Sequence, residues 1–294
     1  MKRRSGRICT GLISLAVILT IPLLSLPPAA LAEYHFTPMP GTLSWYPTGI
    51  NDSGDIVGGY FDATGEHGFL YTPGIFTTIY YPGAMLTWVS GINDSGSIVG
   101  YYDDATGDHG FLYARGKFTP IDYPGASETQ AFGINDSGSI VGYYDDATGE
   151  HGFLYAKGKF TPIDYPGASE TQAFGINDSG SIVGSYFDGT GFHGFLYARG
   201  KFTPIDYPGA SETQAFGIND SGSIVGYYDD DGITFHGFLY AGGKFTPIDY
   251  PGAHQTVTTG INDSGSIVGY YHESAYVSQG FVATLVAEPR HHRH

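Results

Sequence analysis

Histidine occupies one equivalent position in five copies of a repeated segment. Imidazoles at such positions could bind a metal ion or sense pH. Equivalent positions on separate repeat units of a ring are too far apart to share one ion, and Gln279 at the sixth position also fits a hydrogen-bonding role. We therefore interpret these residues as structural histidines, hydrogen-bonded at the start of a strand. They are His67, His109, His151, His193 and His236.

Acidic side chains gather in two loops of the repeat and could supply oxygen ligands to calcium. The full spaced Asp pattern of an EF-hand-like loop is absent, and the corresponding loops of two other copies contain fewer acids. A solvated hairpin is therefore the favoured interpretation, with one calcium ion per loop as the alternative, and no cofactor is predicted to be required. The candidate metal ligands are Asp103, Asp104, Asp108, Asp145, Asp146 and Glu150.

Catalytic motifs are absent from the sequence. It contains no Gly-x-Ser-x-Gly elbow, no His-Glu-x-x-His pair and no phosphate-binding loop. Carboxylate pairs occur in every copy, so a glycosidase-like pair stays open as an alternative. Near-identical copies present the same groups at every position, however, which favours binding over a unique reaction centre. No catalytic residue is assigned.

The copies disagree mainly in the six residues before Gly-Ile-Asn-Asp. Three copies read Ser-Glu-Thr-Gln-Ala-Phe, and two of the others contain the two tryptophans of the protein. If this segment faces one end of the fold, its aromatic rings lie beside amides and carboxylates, an arrangement that suits carbohydrate or peptide ligands. The alternative is that the first two copies repack where the fold closes, because buried Trp is common. The candidate ligand-binding residues are Trp45, Tyr46, Leu86, Trp88, Glu128, Gln130, Glu170, Gln172, Glu212 and Gln214.

A repeat of about 42 residues positions all of these side chains. Its Gly-Ile-Asn-Asp-Ser-Gly signature begins at Gly49, Gly91, Gly133, Gly175, Gly217 and Gly260. Each copy contains four short strand-like segments separated by turn residues, with no helical periodicity. Four strands in a unit of this length are typical of one propeller blade. In the third copy the predicted strands are Thr129–Phe132, Ser139–Tyr144, Gly152–Ala156 and Phe160–Tyr165.

The two ends of the repeat region indicate how the fold closes. The region starts with a Phe-Thr segment at Phe36 and stops after the Gly-Phe segment at Gly280. The N-terminal strand is therefore predicted to pair with the C-terminal one, which completes the last blade and removes exposed sheet edges. We predict an all-β fold, a six-bladed β-propeller of four-stranded blades over residues 33–286.

The segments outside the repeats predict the compartment. Four basic residues precede an apolar run from Leu12 to Leu26, and Ala30-Leu31-Ala32 forms a small-x-small cleavage site. Residues 1–32 are thus predicted to be a secretory signal peptide, with an uncleaved membrane anchor as the weaker alternative. Residues 287–294 form a polar tail. No second apolar stretch is long enough to span a bilayer, so the mature chain is predicted to have no transmembrane segment.

Charge and cysteine content exclude several kinds of partner. Four of the 13 basic residues lie in the first 32 residues, which leaves nine against 29 acidic residues and a net charge of −20. Such a chain lacks the basic patches that nucleic acids and anionic membranes require. Cys9 is the single cysteine, so a mature chain without it has no disulfide, no thiol nucleophile and no cysteine-ligated metal.

Three repeated motifs resemble the HAF repeat of bacterial extracellular proteins. They are Gly-Ile-Asn-Asp-Ser-Gly-x-Ile-Val-Gly, His-Gly-Phe-Leu-Tyr and Phe-Thr-Pro-Ile-Asp-Tyr-Pro-Gly-Ala. The resemblance covers nearly the whole region after residue 32, although Gly replaces the middle Ala of the name-giving triplet. It implies secretion and a repeat architecture, and it implies no activity.

The sequence as a whole predicts a secreted, monomeric binding or scaffolding module. Repeated weak sites would gain avidity for a repetitive extracellular carbohydrate or for a protein surface. An extracellular glycan hydrolase or lyase is the first alternative, and a purely structural surface protein is the second.

Overall fold

Each sequence repeat folds into one four-stranded antiparallel sheet, and six such sheets form a six-bladed β-propeller. The computed structural model describes residues 33–40, 44–273 and 278–286. The predicted fold class and blade number are confirmed. The predicted signal peptide, residues 1–32, and the predicted polar tail, residues 287–294, lie outside the described residues.

The strands are numbered in chain order, and each blade takes four of them. Blades 1 to 3 contain β2 (Ser44–Ile50), β3 (Ile56–Asp62), β4 (Gly65–Thr72), β5 (Ile75–Ile79); β6 (Leu86–Ile92), β7 (Ile98–Asp103), β8 (Asp108–Ala114), β9 (Lys117–Ile121); β10 (Glu128–Ile134), β11 (Ile140–Asp146), β12 (Gly149–Ala156) and β13 (Lys159–Ile163). Blades 4 to 6 contain β14 (Glu170–Ile176), β15 (Ile182–Phe187), β16 (Phe192–Ala198), β17 (Lys201–Ile205); β18 (Glu212–Ile218), β19 (Ile224–Asp229), β20 (Phe235–Ala241), β21 (Lys244–Pro247); β22 (Gln255–Ile261), β23 (Ile267–His272), β24 (Ser278–Leu285) and β1 (Tyr34–Pro38).

The ring closes through the pairing of β1 with β24. Phe36 lies opposite Ala283 and Pro38 lies opposite Phe281, and the Met39 N–H donates to the Gly280 carbonyl at 2.8 Å. The predicted pairing of the two terminal strands is confirmed. It brings the N-terminal strand to the outside of blade 6, so the last blade is completed by residues from both ends of the chain.

Apolar side chains on both faces of each sheet hold the blades together. In blade 3, Ile140 and Val141 are adjacent in sequence and point to opposite faces, yet both are buried. Val141 packs in the core between blades 3 and 4, whereas Ile140 packs with Val99 between blades 2 and 3. A strand between two neighbouring sheets must be apolar on both faces, which explains the continuous apolar runs in the sequence.

Stacked tyrosine pairs join neighbouring blades near their outer side. Tyr123, at the end of blade 2, lies face to face with Tyr144 of blade 3 with their ring centroids 3.6 Å apart. The same geometry recurs in four other pairs. One of them explains why β13 ends at Ile163, two residues before the predicted end at Tyr165. Tyr165 leaves the strand and stacks on Tyr186 of the next blade.

At one end of the ring axis, two closed belts of hydrogen bonds connect all six blades. The Asn135 Nδ2 donates to the carbonyl of Asn177 at 3.1 Å, and the Asp136 N–H donates to the Asp178 carboxylate at 2.8 Å. Each of the other five blades makes the same two bonds to the blade that follows it, and blade 6 makes them to blade 1. The Asn-Asp-Ser-Gly turn therefore links blades as well as strands.

Glycine at two positions allows strands to approach each other closely. A Cβ on Gly133 would lie 2.7 Å from the Phe174 carbonyl oxygen of the next blade, so this glycine and its equivalents let the innermost strands converge on the axis. A Cβ on Gly142 would lie 2.0 Å from the Gln130 carbonyl oxygen of the adjacent strand. The repeated glycine at position 142 predicts close backbone packing near the axis. The close packing is confirmed, whereas the position at the axis belongs to Gly133.

We expect Asn135→Ala to destabilise the fold by about 2–3 kcal/mol. Asn135 is buried, accepts hydrogen bonds from the Ser139 N–H and the Ser137 hydroxyl, and donates to the next blade. Its loss leaves several buried groups without partners, each costing about 1 kcal/mol or more. Denaturant unfolding measures the change, with Ser137→Ala as the milder control. A loss below about 0.5 kcal/mol would show that the belt is dispensable.

Candidate functional site

A β-bulge in the innermost strand of every blade directs one side chain toward the axis. In blade 3 the pairing of β10 with β11 shifts between Ala131 and Gly133, so Phe132 has no partner in the ladder. The bulge recurs at the same position in the other five blades. Because a bulge changes the direction of the residue that it frees, six side chains converge on the axis at the end opposite the Asn and Asp belts.

These side chains line a cavity of about 200 Å³ on the axis. Its walls form two layers. The bulge residues form the deep layer, and residues two positions earlier in the innermost strands form the outer layer. One tyrosine of β23 also lines the cavity. The lining residues are Tyr46, Thr48, Trp88, Ser90, Phe132, Phe174, Phe216, Val257, Thr259 and Tyr270.

The deep layer of the cavity is chemically divided into two halves. Blades 3 to 5 contribute three phenylalanines, whose rings contact edge to face with centroids 5.2 and 5.0 Å apart. Blades 6, 1 and 2 contribute the hydroxyls of Thr259, Thr48 and Ser90. Thr259 and Thr48 donate to main-chain carbonyls, whereas the buried Ser90 Oγ has no hydrogen-bond partner within the described residues.

The outer layer of the cavity contains two aromatic walls, Tyr46 and Trp88, with ring centroids 6.1 Å apart. Trp88 leans over Gly59 of blade 1, where a Cβ would lie only 2.3 Å from the indole ring. Four other blades have tyrosine at the position of Gly59. The glycine in blade 1 is therefore what makes room for the indole at the cavity wall.

Amides and carboxylates flank the cavity in blades 3 to 5. The Gln130 Nε2 donates to the Asp108 carboxylate of blade 2, and the Gln172 Nε2 donates to Glu150 of blade 3. Gln214 follows a different pattern and donates to Glu212 of its own strand at 2.7 Å, because Phe192 replaces the acid in blade 4. Polar groups able to bond a ligand hydroxyl thus lie beside the phenylalanine half of the site.

Burial shifts the titration of these groups. It raises the pKa of Asp108 and of Glu150 above the usual range even though each accepts a hydrogen bond from a glutamine. Burial, followed by the neighbouring Asp108, likewise raises the pKa of Glu128. Burial also raises the pKa of Tyr270 to about 12, so this hydroxyl stays protonated and can donate.

The structure divides nine of the ten predicted ligand-binding residues into three groups. Tyr46 and Trp88 line the cavity. Gln130, Gln172 and Gln214 occupy the equivalent strand positions in blades 3 to 5, and each donates a hydrogen bond to a carboxylate beside the cavity. Leu86, Glu128, Glu170 and Glu212 occupy equivalent positions at the start of the innermost strands, two residues before the outer layer.

Trp45 corrects the sequence interpretation. It is 7% exposed and packs inside blade 1, stacked on Phe76 at 4.3 Å and edge-on to Phe69. The side chains of successive strand residues point to opposite faces, so Tyr46 faces the cavity while Trp45 faces the core. Trp45 is therefore a core residue, and the alternative of repacking in the first blade applies to it alone of the two tryptophans.

The cavity also contains residues that the sequence did not single out. Ser90, Phe132 and Thr259 occupy one position, the residue immediately before Gly-Ile-Asn-Asp, which is Phe in three blades and a hydroxyl residue in three. That division was visible in the sequence, but without the bulge an alternating strand would not direct position 132 to the axis. Tyr270 was not identifiable, because the same tyrosine recurs in blades that do not place it in the cavity.

The repeated histidines lie on the third strand of each blade, away from the cavity. The His109 Nδ1 lies 3.0 Å from Asp122 and its Nε2 lies 2.8 Å from the Thr106 hydroxyl, and His151 repeats both contacts. His193 and His236 contact the equivalent aspartates, and His67 contacts Asp62 and Thr64 instead. All five lie within hydrogen-bonding distance of neighbouring side chains in their own blade.

The acids proposed as calcium ligands bond elsewhere. The Asp104 carboxylate accepts the Thr106 N–H and hydroxyl, Asp146 does the same with Thr148, and Asp108 turns inward to Gln130. Within the described residues the one triad with ligand atoms mutually within 4.8 Å is Asp229, Asp230 and Asp231, in the loop of blade 5 that is one residue longer. The six predicted ligands thus do not form a calcium cage in either loop, and calcium binding stays a prediction.

No protein-family model matches the chain, and no curated protein matches it. Solved structures do match. TolB from Acinetobacter baumannii has a TM-score of 0.56 at 10% identity, over 83% of this chain and 64% of TolB, so the chain spans less than two thirds of that protein. The β-propeller domain of the Trilobed protease from Pyrococcus furiosus has a TM-score of 0.52 at 11% identity, over 84% of this chain and 83% of that one.

AofleA from Arthrobotrys oligospora has a TM-score of 0.51 at 12% identity, over 87% of this chain and 94% of that one. At such identities these similarities show the propeller fold and nothing finer. Along the described ranges, no helix has the length and apolar character needed to cross a membrane.

We expect Asp108→Asn to stabilise the protein at pH 7 and to have little effect near pH 3.5. A carboxyl whose pKa is raised in the folded state favours folding below its unfolded pKa of about 3.9, and that contribution is lost as the pH rises through the folded pKa. The amide oxygen of Asn can still accept from Gln130. Denaturant unfolding at the two pH values measures the effect, and equal effects at both would contradict it.

Gly59→Ala is expected to displace the Trp88 indole from the cavity wall, because the added methyl would lie 2.3 Å from the ring. Trp45→Phe leaves Trp88 as the single tryptophan, since the protein has two. In that background, Gly59→Ala should shift the emission maximum. The matched change Ser185→Ala, at the equivalent position of blade 4, should leave the spectrum unchanged. Identical spectra for all three proteins would refute the contact.

Proposed function

We propose that the protein is a secreted carbohydrate-binding module whose binding site is the axial cavity. One observation carries the proposal: the residues in which the blades differ converge on a single aromatic cavity with polar groups beside it. Cavities of this kind are where proteins most often bind small molecules. Secretion enters the proposal through the predicted signal peptide.

The chemistry of the walls suits one face of a sugar ring. The C–H face of a pyranose is apolar with slightly positive hydrogens, and it packs against the negative face of an aromatic ring such as Trp88 or Tyr46. The ring hydroxyls need donors and acceptors, which the Gln130 amide and the Tyr270 hydroxyl supply.

Size and charge narrow the ligand further. A cavity of about 200 Å³ is smaller than the roughly 300–1,000 Å³ of pockets that hold drug-sized molecules. It therefore accepts one ring, as at the end of a glycan chain. The carboxylates of Asp108 and Glu150 beside the cavity disfavour an anionic sugar such as a uronic acid, so the proposed ligand is a neutral monosaccharide unit.

The location on the axis predicts one site per chain. A multivalent module would need equivalent sites in several blades, whereas the asymmetric walls of the cavity are built once from all six. The HAF-repeat resemblance is compatible with this proposal and stays a prediction. The structural neighbours support a propeller scaffold, a fold whose blades surround a central channel.

Binding is tested with neutral monosaccharides, with glucuronate as the anionic comparison, on the Trp45→Phe protein. We expect a neutral sugar to change Trp88 emission with one site per chain by calorimetry, and Trp88→Ala to weaken binding by at least about tenfold through loss of the stacking surface. Glucuronate should bind more weakly than glucose of the same ring size.

Controls separate the cavity from other surfaces. Ile233→Ala changes an exposed side chain of blade 5 and should leave affinity unchanged. Each titration is run with calcium chloride and with EDTA, which also tests the calcium prediction. If no neutral sugar on a glycan array binds under either condition, or if Trp88→Ala binds as tightly as the parent, the proposal is wrong.

A further inference from the structure

The outer strand of blade 1 lacks the features that protect the outer strands of the other blades. Proline occupies the fourth position of that strand in blades 2 to 5 and its equivalent in β1, and lysine occupies the first position in blades 2 to 5. In β5 the corresponding residues are Thr78 and Ile75. Proline and lysine on an exposed edge prevent another strand from pairing with it.

The missing proline leaves an outward-facing N–H available for pairing. Ile79 lies opposite Gly68 of β4, and in blade 5 the equivalent Ile248 N–H donates inward to Gly237 at 2.8 Å. Main-chain groups of alternate residues in an antiparallel strand point to opposite sides. Thr77 and Ile79 therefore bond β4, whereas the N–H and C=O groups of Phe76 and Thr78 point away from the sheet.

The same edge is apolar and uncharged. Ile75 is 62% exposed and Phe76 is 37% exposed. Tyr80, also exposed, replaces the aspartate that follows the outer strand in blades 2 to 5. No Asp, Glu, Lys, Arg or His occurs between His67 and Asp94, although the chain is strongly acidic.

We propose that two copies of the chain pair through β5, strand against antiparallel strand, around a two-fold axis at Thr77. Phe76 of one copy then lies opposite Thr78 of the other, and the two residues exchange both main-chain hydrogen bonds. The two-fold axis generates the same pair again on the other side of Thr77. Ile75 of each copy lies opposite Ile79 of its partner, and this contact covers the exposed side chain of Ile75.

The second copy is favoured as the occupant by symmetry and by charge. The sequence Ile-Phe-Thr-Thr-Ile is self-complementary under the two-fold operation, as an interface between identical partners requires. A net charge of −20 over residues 33–294 makes most faces repel one another, so copies approach best where neither presents a charge. At the other outer strands the same pairing would remove lysines from water. It would also lack two main-chain hydrogen bonds, because the proline of each copy has no N–H to donate. This dimer replaces the monomer expected from the sequence.

Sedimentation velocity of the full chain over a wide concentration range tests the proposal. We expect a reversible monomer–dimer equilibrium for the parent protein. Thr78→Pro introduces the proline that the other outer strands already have and should weaken dimerisation by at least about tenfold, because it deletes a main-chain donor from each copy. Ile75→Lys, which introduces the lysine of blades 2 to 5, should do the same.

Ile233→Lys is the matched control, because it adds one lysine at a 69% exposed apolar residue away from β5 and should leave the equilibrium unchanged. Circular dichroism verifies the fold of each variant, and Ile75→Lys alone decides if Thr78→Pro does not fold. A parent that is monomeric throughout the range overturns the proposal, including the case in which β5 pairs with another protein. A dimer that persists in every folded edge variant overturns it as well.

Discussion

The structure depends on the polar belts at one end of its axis. Each Asn-Asp turn accepts a hydrogen bond within its own blade at the Asn side-chain oxygen, and it makes two further hydrogen bonds to the next blade. The buried polar groups of one blade therefore find all of their hydrogen-bond partners only when the next blade is present. Buried amides without partners are costly, and the belts are complete only when blade 6 meets blade 1. The belts, the glycines that let the innermost strands converge and the pairing of β1 with β24 therefore act together to favour a closed ring.

That constraint explains where the copies are identical and where they differ. Gly-Ile-Asn-Asp is invariant in all six because one changed turn would break a belt shared with two neighbours. At the opposite end of the same strands, the side chains face the cavity. Phe132, Ser90 and Thr48 occupy equivalent positions there without disturbing the ring. Two of the places where the copies differ, the cavity end of the axis and the outer edge of blade 1, lie away from the belts.

Blade 1 concentrates several of these departures. Gly59 makes room for Trp88 at the cavity, while Trp45 and Phe76 stack through the interior toward the exposed outer strand. One wall of the proposed sugar site and the proposed dimer edge therefore lie at the inner and outer ends of the blade 1 sheet. At the position of Gly59 four other blades have tyrosine, and at the positions of Ile75 and Thr78 blades 2 to 5 have lysine and proline.

The sequence by itself determined the blade number, the four strands of each blade and the closure by the terminal strands, because a 42-residue period and the offset of the two ends are local patterns that need no tertiary information. It also located the variable segment that contributes Tyr46 and Trp88. It could not distinguish Trp45 from Trp88, since both are tryptophans in that segment. Trp45 lies in the core and Trp88 at the cavity wall because of the strand register and the space above Gly59. Nor could it show that the Asn-Asp turns join blades or that Phe132 enters the cavity. Contacts between residues 42 positions apart form only when neighbouring blades pack together, and the bulge before Gly133 forms only when β10 pairs with β11.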